Sequence, residues 1–169
     1  MRILVVEDEV IVAFHLEAAL LDEGHRVVGF ARDARSAKVL AGDKRPDLAL
    51  VDVHLTDGET GLDVARHLTG IGIPVLFMTA NADLLLDDLA GALGVIPKPV
   101  AEHVLKRAVD YAAARNSGEQ FGIPPEGLIV GKLPTASRQS TTWAKSLGWR
   151  CRSAPNGDFR VQVAVLTTH

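Results

Sequence analysis

Hydrophobic residues fall along the chain in short blocks that alternate between two periods. Ile3-Leu-Val-Val6, Arg26 to Ala31, Leu48 to Val51, Gly72-Ile-Pro-Val-Leu-Phe-Met78 and Val95-Ile96 are compact apolar runs flanked by turn formers, the signature of strands. Between them the spacing changes to that of helices. Val10, Ala13, Phe14, Leu20 and Leu21 predict an apolar stripe on a first helix that Gly24 stops, and Ala34 to Ala41 predicts a second helix closed by Gly42. Leu62 to Gly70 predicts a third. Leu84 to Ala92 predicts a short fourth with Asp83 as its cap, and Glu102 to Arg115 a last one with Val104, Leu105, Ala108, Val109 and Ala112 on one side. Five such βα repeats in residues 1–116 predict an α/β fold: a doubly wound, five-stranded parallel sheet with helices on both faces, strand order 2-1-3-4-5, flavodoxin-like.

The pattern weakens after residue 116. Residues 117–126 read as a linker, Ser-Gly-Glu-Gln-Phe-Gly-Ile-Pro-Pro125 carrying most of it. The C-terminal extension 127–169 holds both tryptophans, Trp143 and Trp149. It reads either as a partly disordered tail or as strand-forming, with a short strand over Gly127 to Leu133 and an alternating one over Phe159 to Thr167 that adds to a sheet edge, its own or a partner's.

Charge sharpens this division. Residues 1–116 carry 12 Lys and Arg against 18 Asp and Glu, a net of −6, while residues 117–169 carry 6 against 3, a net of +3. Neither value argues for nucleic acid, and the tail shows no helix-turn-helix pattern, zinc spacing or nucleotide loop. Cys151 is the only cysteine, which rules out an intrachain disulfide or a thiolate metal cluster. The scattered His15, His25, His67 and His103 lack metal-ligand spacing. No apolar run approaches membrane-spanning length, and the acids Glu7-Asp8-Glu9 directly after Ile3–Val6 argue against a signal peptide, so a cytoplasmic location is the expectation.

The carboxyl ends of strands one, three, four and five carry Glu7 and Asp8, then Asp52, then Thr79, then Lys98. Each has an ordinary alternative: the acids as helix caps, Thr79 as a turn residue, Lys98 as a solvated charge. In the 2-1-3-4-5 order, however, these ends converge at the switch point where ligands bind open α/β sheets. Three carboxylates in one pocket repel one another and call for a hard cation; Mg²⁺, which accepts one or two carboxylates and keeps several waters, suits them. A lysine and a hydroxyl beside such an ion make a receptor for an anion, which is what phosphoryl transfer to Asp52 requires.

Val5-Val-Glu-Asp-Glu9, Val51-Asp52, Met78-Thr-Ala80 and Pro97-Lys-Pro99, in this order and each at a strand end, resemble the receiver domain of two-component response regulators. The resemblance covers residues 1–116. It implies that Asp52 accepts phosphate from a histidine kinase or phosphotransfer protein, that Asp8, Asp52 and the main-chain carbonyl of His54 bind Mg²⁺ with Glu7 acting through water, that Thr79 is the switch hydroxyl and that Lys98 holds the phosphoryl oxygens. It also implies a cis Lys98-Pro99 peptide, a downstream protein target and homodimer formation on phosphorylation.

There are departures. Val95 stands where receivers usually carry an aromatic switch residue, so output is expected from the loop after Thr79 or the helix beyond it. Leu55-Thr-Asp-Gly58 replaces the usual proline-bearing loop, and His54 and Asn81, two places beyond Asp52 and Thr79, are expected to tune phosphate lifetime. The resulting expectation is a response regulator that switches protein contacts and is not an enzyme. Its rivals are a DNA-binding transcriptional regulator with a reduced output region, a receiver that only binds partners, and an aspartate-nucleophile phosphatase. The last lacks the second acid two places after its nucleophile, where His54 stands.

Overall fold

The structure is a computed structural model that describes residues 1–85, 88–116, 124–130, 151–153 and 159–161. Two compact units divide the chain, Met1–Gly131 and Lys132–His169. In the first, β1 (Arg2–Val6), β2 (Arg26–Ala31), β3 (Leu48–Asp52), β4 (Val75–Thr79) and β5 (Gly94–Pro97) form a sheet in the order β2-β1-β3-β4-β5. All four strand pairs are parallel. The helices are α1 (Val10–Asp22), α2 (Ala34–Lys44), α3 (Gly61–Gly70) and α4 (Glu102–Asn116). In the second unit, β6 (Cys151–Ser153) pairs antiparallel with β7 (Phe159–Val161). The rest of the alternating stretch to Thr167 lies outside the described residues. Among the described residues no helix is long and apolar enough to cross a membrane.

β3 and β4 are buried along their whole length, as continuous apolar runs in a two-sided sheet should be. Successive residues feed opposite faces. Leu4, Val6, Ala49, Val51, Val75, Phe77 and Val95 join Ala37 and Ala41 of α2 and Val64, Ala65 and Leu68 of α3 on one side. Ile3, Val5, Leu48, Leu50, Leu76, Met78 and Ile96 join Ala13, Leu16 and Leu20 of α1 and Leu105, Ala108, Val109 and Ala112 of α4 on the other. The doubly wound fold and strand order are those the sequence predicts.

Three local expectations are corrected. The inward face of α1 is Ala13, Leu16 and Leu20, whereas Val10, Phe14 and Leu21 are 50%, 61% and 67% exposed. The helix is apolar nearly all round, so hydrophobicity alone does not choose its buried side. Phe14 instead meets Phe30 of β2 edge to face, ring centroids 6.4 Å apart. Such an exposed pair contributes little, so Phe14→Ala is expected to lower stability by about 1 kcal/mol or less in urea denaturation.

Gly42 does not close α2; it lies inside the helix, which ends at left-handed Arg45, φ 44°. The Arg2 guanidinium donates to the last carbonyls, those of Lys44 and Arg45, and Pro46 disfavours an α conformation at the residue before it. Asp33 caps the other end by accepting from the Ser36 amide at 2.8 Å.

The helix predicted over Leu84 to Ala92 is also corrected. Ala82–Leu85 is a 3₁₀ turn, and Ala90 and Gly91 take positive φ values of 50° and 79°. Side chains compete for the backbone there: Asp88 accepts from the Ala90 amide at 2.7 Å, and the Thr69 hydroxyl donates to the Ala90 carbonyl at 3.0 Å. Arg66 of α3 holds Asp88 in place at 2.9 Å.

Candidate functional site

The sheet delivers its chemistry to one edge because every strand ends there. β1 runs out at Val6, whose partner on β3 is Val51, so Glu7 and Asp52 stand on neighbouring strand ends. Asp52 lies opposite Met78 of β4, and Thr79 opposite Pro97 of β5, which puts Thr79 and Lys98 one step further round. The Lys98 amide donates to the Thr79 carbonyl at 2.9 Å, joining the last two tips. The Lys98-Pro99 peptide is cis.

Glu7, Asp52 and Thr79 are the buried polar residues among the described ones, 2%, 6% and 1% exposed. Buried charge needs a partner, and Lys98 supplies it to both acids. Its ammonium donates to Glu7 Oε2 at 2.8 Å and to Asp52 Oδ2 at 2.7 Å. The remaining oxygens face main-chain donors: Glu7 Oε1 the Glu9 amide and Asp52 Oδ1 the His54 amide, both at 3.3 Å. Asp8 is half-buried beside them, and one carboxylate oxygen from each of Glu7, Asp8 and Asp52 lies within 4.8 Å of the others. The Thr79 hydroxyl accepts from the Asn81 amide at 3.2 Å.

Burial pushes the Glu7 carboxyl above its ordinary range, and the Asp52 charge adds to this while the Lys98 hydrogen bond opposes it. At Lys98 burial works against the ammonium, but the hydrogen bonds to Asp52 and Glu7 outweigh it and the pKa rises. The two directions describe one arrangement. An ammonium is firmly held between two acids, and the more buried of the two, Glu7, gives up its proton less readily than usual.

An oxygen-only donor set of three carboxylates is hard in character and fits Mg²⁺ or a similar ion; thiol and imidazole ligands play no part among the described residues. A single fixed ammonium cannot neutralise three acids. The arrangement is therefore short of positive charge, and Asp8 is the least buried of the three acids.

Glu7, Asp8, Asp52, Thr79 and Lys98 thus gather at one end of the sheet. His54 lends its amide, while its half-exposed ring turns away to Glu59, 3.2 Å from Oε1. Asn81 is exposed. One residue that matters escaped the sequence reading. Gly61 opens α3 against the strand end, where an added Cβ would lie 2.1 Å from the Asp52 carbonyl oxygen and 2.6 Å from the Val53 Cα. Its amide donates to the Val53 carbonyl at 3.0 Å, so helix and strand tip are joined where only a glycine fits. The signal, a glycine directly after the turn stretch Thr56 to Thr60, is visible but reads there as ordinary turn chemistry.

Known proteins share this fold. PhyR, the phyllosphere-induced regulator of Methylorubrum extorquens, is 42% identical over 87 residues, covering 50% of this chain and 33% of its own. The virulence transcriptional regulatory protein PhoP of Salmonella typhimurium is 35% identical over 133 residues, covering 74% of this chain and 58% of its own. Anti-anti-sigma factor PhyR from Bartonella quintana has a crystal structure that superposes with a TM-score of 0.64 at 30% identity, over 69% of this chain and 49% of that one. The chain therefore spans a third to little more than half of the curated relatives it matches. The family model of the response regulator receiver domain matches residues 3–110, and with that span inside the five-stranded sheet, the chain belongs to the response regulator receiver family.

Proposed function

We propose that Asp52 is the phosphoacceptor of a two-component relay, taking its phosphoryl group from a histidine kinase or phosphotransfer protein. The observation that carries this is the Lys98 ammonium held at 2.7 Å from Asp52 and 2.8 Å from Glu7, a fixed cation beside a nucleophilic carboxylate at the end of a parallel strand. In the transfer, an Asp52 oxygen forms a bond to phosphorus as the bond to the donor nitrogen breaks, and the proton needed by the leaving imidazole comes with the donor. An acyl phosphate results. Such transfer is mostly a matter of position and charge.

Each residue then has a role. Asp8, Asp52 and the His54 main-chain carbonyl would hold Mg²⁺, with Glu7 acting through water. When bound, that ion neutralises phosphoryl oxygens during transfer. Lys98 leaves its bridge to bind a phosphoryl oxygen, and Thr79 donates its hydroxyl to another. The His54 amide at Asp52 Oδ1 orients the nucleophile. Asn81, two places beyond Thr79, adjusts how long the acyl phosphate lasts; the His54 ring, tied to Glu59, does so less directly.

Residues 1–116 are the receiver in this reading, 117–126 a linker and 127–169 an extension. Output runs through protein contacts. PhyR of Bartonella quintana, a superposable relative, is described as an anti-anti-sigma factor, which makes a regulatory protein a more natural target than DNA. The chain acts as a switch, not as a turnover catalyst.

Incubation with acetyl phosphate and Mg²⁺ tests the proposal. Intact-protein mass is expected to rise by one phosphoryl group, with the label on Asp52, with no rise when Mg²⁺ is chelated and none for Asp52→Asn. Label on another residue, or none on the native chain, would sink it.

A further inference from the structure

β5 is the last strand of the sheet on its side, and its outer edge is occupied. Ile129 forms an antiparallel bridge to Val95. The Val95 amide donates to the Ile129 carbonyl at 2.7 Å, and the Ile129 amide returns the bond to Val95 at 2.9 Å. Side chains alternate as in a true strand. Leu128 is buried in the layer of α1 and α4, while Ile129 packs against the layer of α2 and α3.

Two glycines make room for this short segment. An added Cβ at Gly94 would lie 2.8 Å from the Ile129 carbonyl oxygen and 3.0 Å from a Leu128 methyl. Gly127, at φ +88°, turns the chain onto the sheet, where an added Cβ would meet a Val104 methyl at 2.9 Å. A segment so fitted is a built contact. Its hold on the sheet is short: one reciprocal pair of backbone bonds to Val95, with Leu128 and Ile129 packed on opposite faces.

Val95 lies within β5 and Lys98 directly follows its last residue, Pro97, and the Lys98 amide is bonded to the Thr79 carbonyl. The strand that holds Ile129 therefore leads directly into the lysine that bridges the two acids. We propose that Leu128–Val130 is a detachable sixth strand that locks β5 and comes off when Lys98 is drawn to a phosphoryl group on Asp52, exposing the β5 edge. This rests on the phosphoacceptor reading of Asp52. The bond pair must be made or lost together, which gives the contact two states rather than a continuum. By linkage, loosening the strap must in turn favour the phosphorylated state.

Hydrogen exchange on the full chain tests the lock. The Val95 and Ile129 amides are expected to be protected in the unmodified protein and to lose protection about tenfold with beryllofluoride and Mg²⁺, a coupling of ordinary size. Ile129→Pro removes one donor and is expected to expose the Val95 amide without any phosphoryl analogue, and to raise Asp52 labelling by acetyl phosphate about tenfold by the same coupling. Leu128→Ala leaves the backbone intact and is expected to act in the same direction if the proline variant does not fold. A bound-fluoride resonance with unchanged protection at both amides would overturn the strap and leave Asp52 as the acceptor. Absence of that resonance would overturn the acceptor reading and the release together.

Discussion

Lys98→Ala is expected to cost about 3–5 kcal/mol of folding stability at neutral pH in metal-free buffer, the usual effect of stripping the partner from buried charge. The side chains of Glu7 and Asp52 are 0% and 9% exposed, and Lys98 is the cation that bridges them. Removing it leaves two acids facing each other with a third, Asp8, nearby. The sign of the pH dependence follows. Glu7 already titrates above 4.5 because of its burial, and without Lys98 it rises further. A carboxyl whose folded pKa lies above its unfolded one is stabilising when protonated, so the variant should gain stability as pH falls through the raised folded value toward 4.5. In the native chain the Lys98 contribution is present at neutral pH and lost only as pH rises through a folded value above 10.5. Mg²⁺ is expected to restore part of the loss in the variant while phosphorylation from acetyl phosphate disappears. Urea denaturation across pH, with and without the ion, reads all of this; a variant as stable as the parent at pH 7 would show that the bridge is not what compensates the two acids.

Gly61→Ala is expected to cost about 3 kcal/mol or more, at the upper end of what overpacking does, because the obstacle is backbone and cannot rotate away. The new methyl would sit 2.1 Å from the Asp52 carbonyl oxygen, so either α3 backs off or the end of β3 moves. Movement of β3 displaces Asp52 from Lys98. The variant should therefore bind Mg²⁺ more weakly as well as unfold at lower urea, whereas Gly70→Ala, where an added Cβ meets nothing within 4 Å, should leave the ion affinity unaltered. Equal ion affinity in native and Gly61→Ala protein would sever the proposed connection between the helix start and the acid.

The parallel sheet was legible because its strands leave little ambiguity. Leu48–Val51 and Val75–Met78 are apolar at every position, a pattern that suits strands covered on both faces, with Pro46 and Pro74 just before them and the polar Asp52 and Thr79 directly after. The gathering of acids, threonine and lysine followed from strand order, since each stands at a carboxyl end and the order brings those ends together. What stayed hidden depended on tertiary partners. The side of α1 that faces inward is decided by the layer beneath it, and a helix rich in Val, Ile, Phe and Leu offers no polar face to vote against. The stop of α2 at Arg45 depends on Arg2, more than 40 residues away. After β4, good helix formers lose to hydrogen bonds from Thr69 and Asp88 that no local window contains. Ile129 bonds to Val95 across 34 residues of chain, beyond any periodicity.

The sheet also has a consequence for redesign. It acts as a partition between two apolar compartments, one under α2 and α3 and one under α1 and α4, and among the described residues no buried apolar side chain belongs to both. Each could be given a new set of residues while the other keeps its own, provided volume is conserved on the side being changed. A single inserted residue in β3 would do the opposite. Every side chain beyond it would change rooms, and Asp52 would be turned away from its lysine.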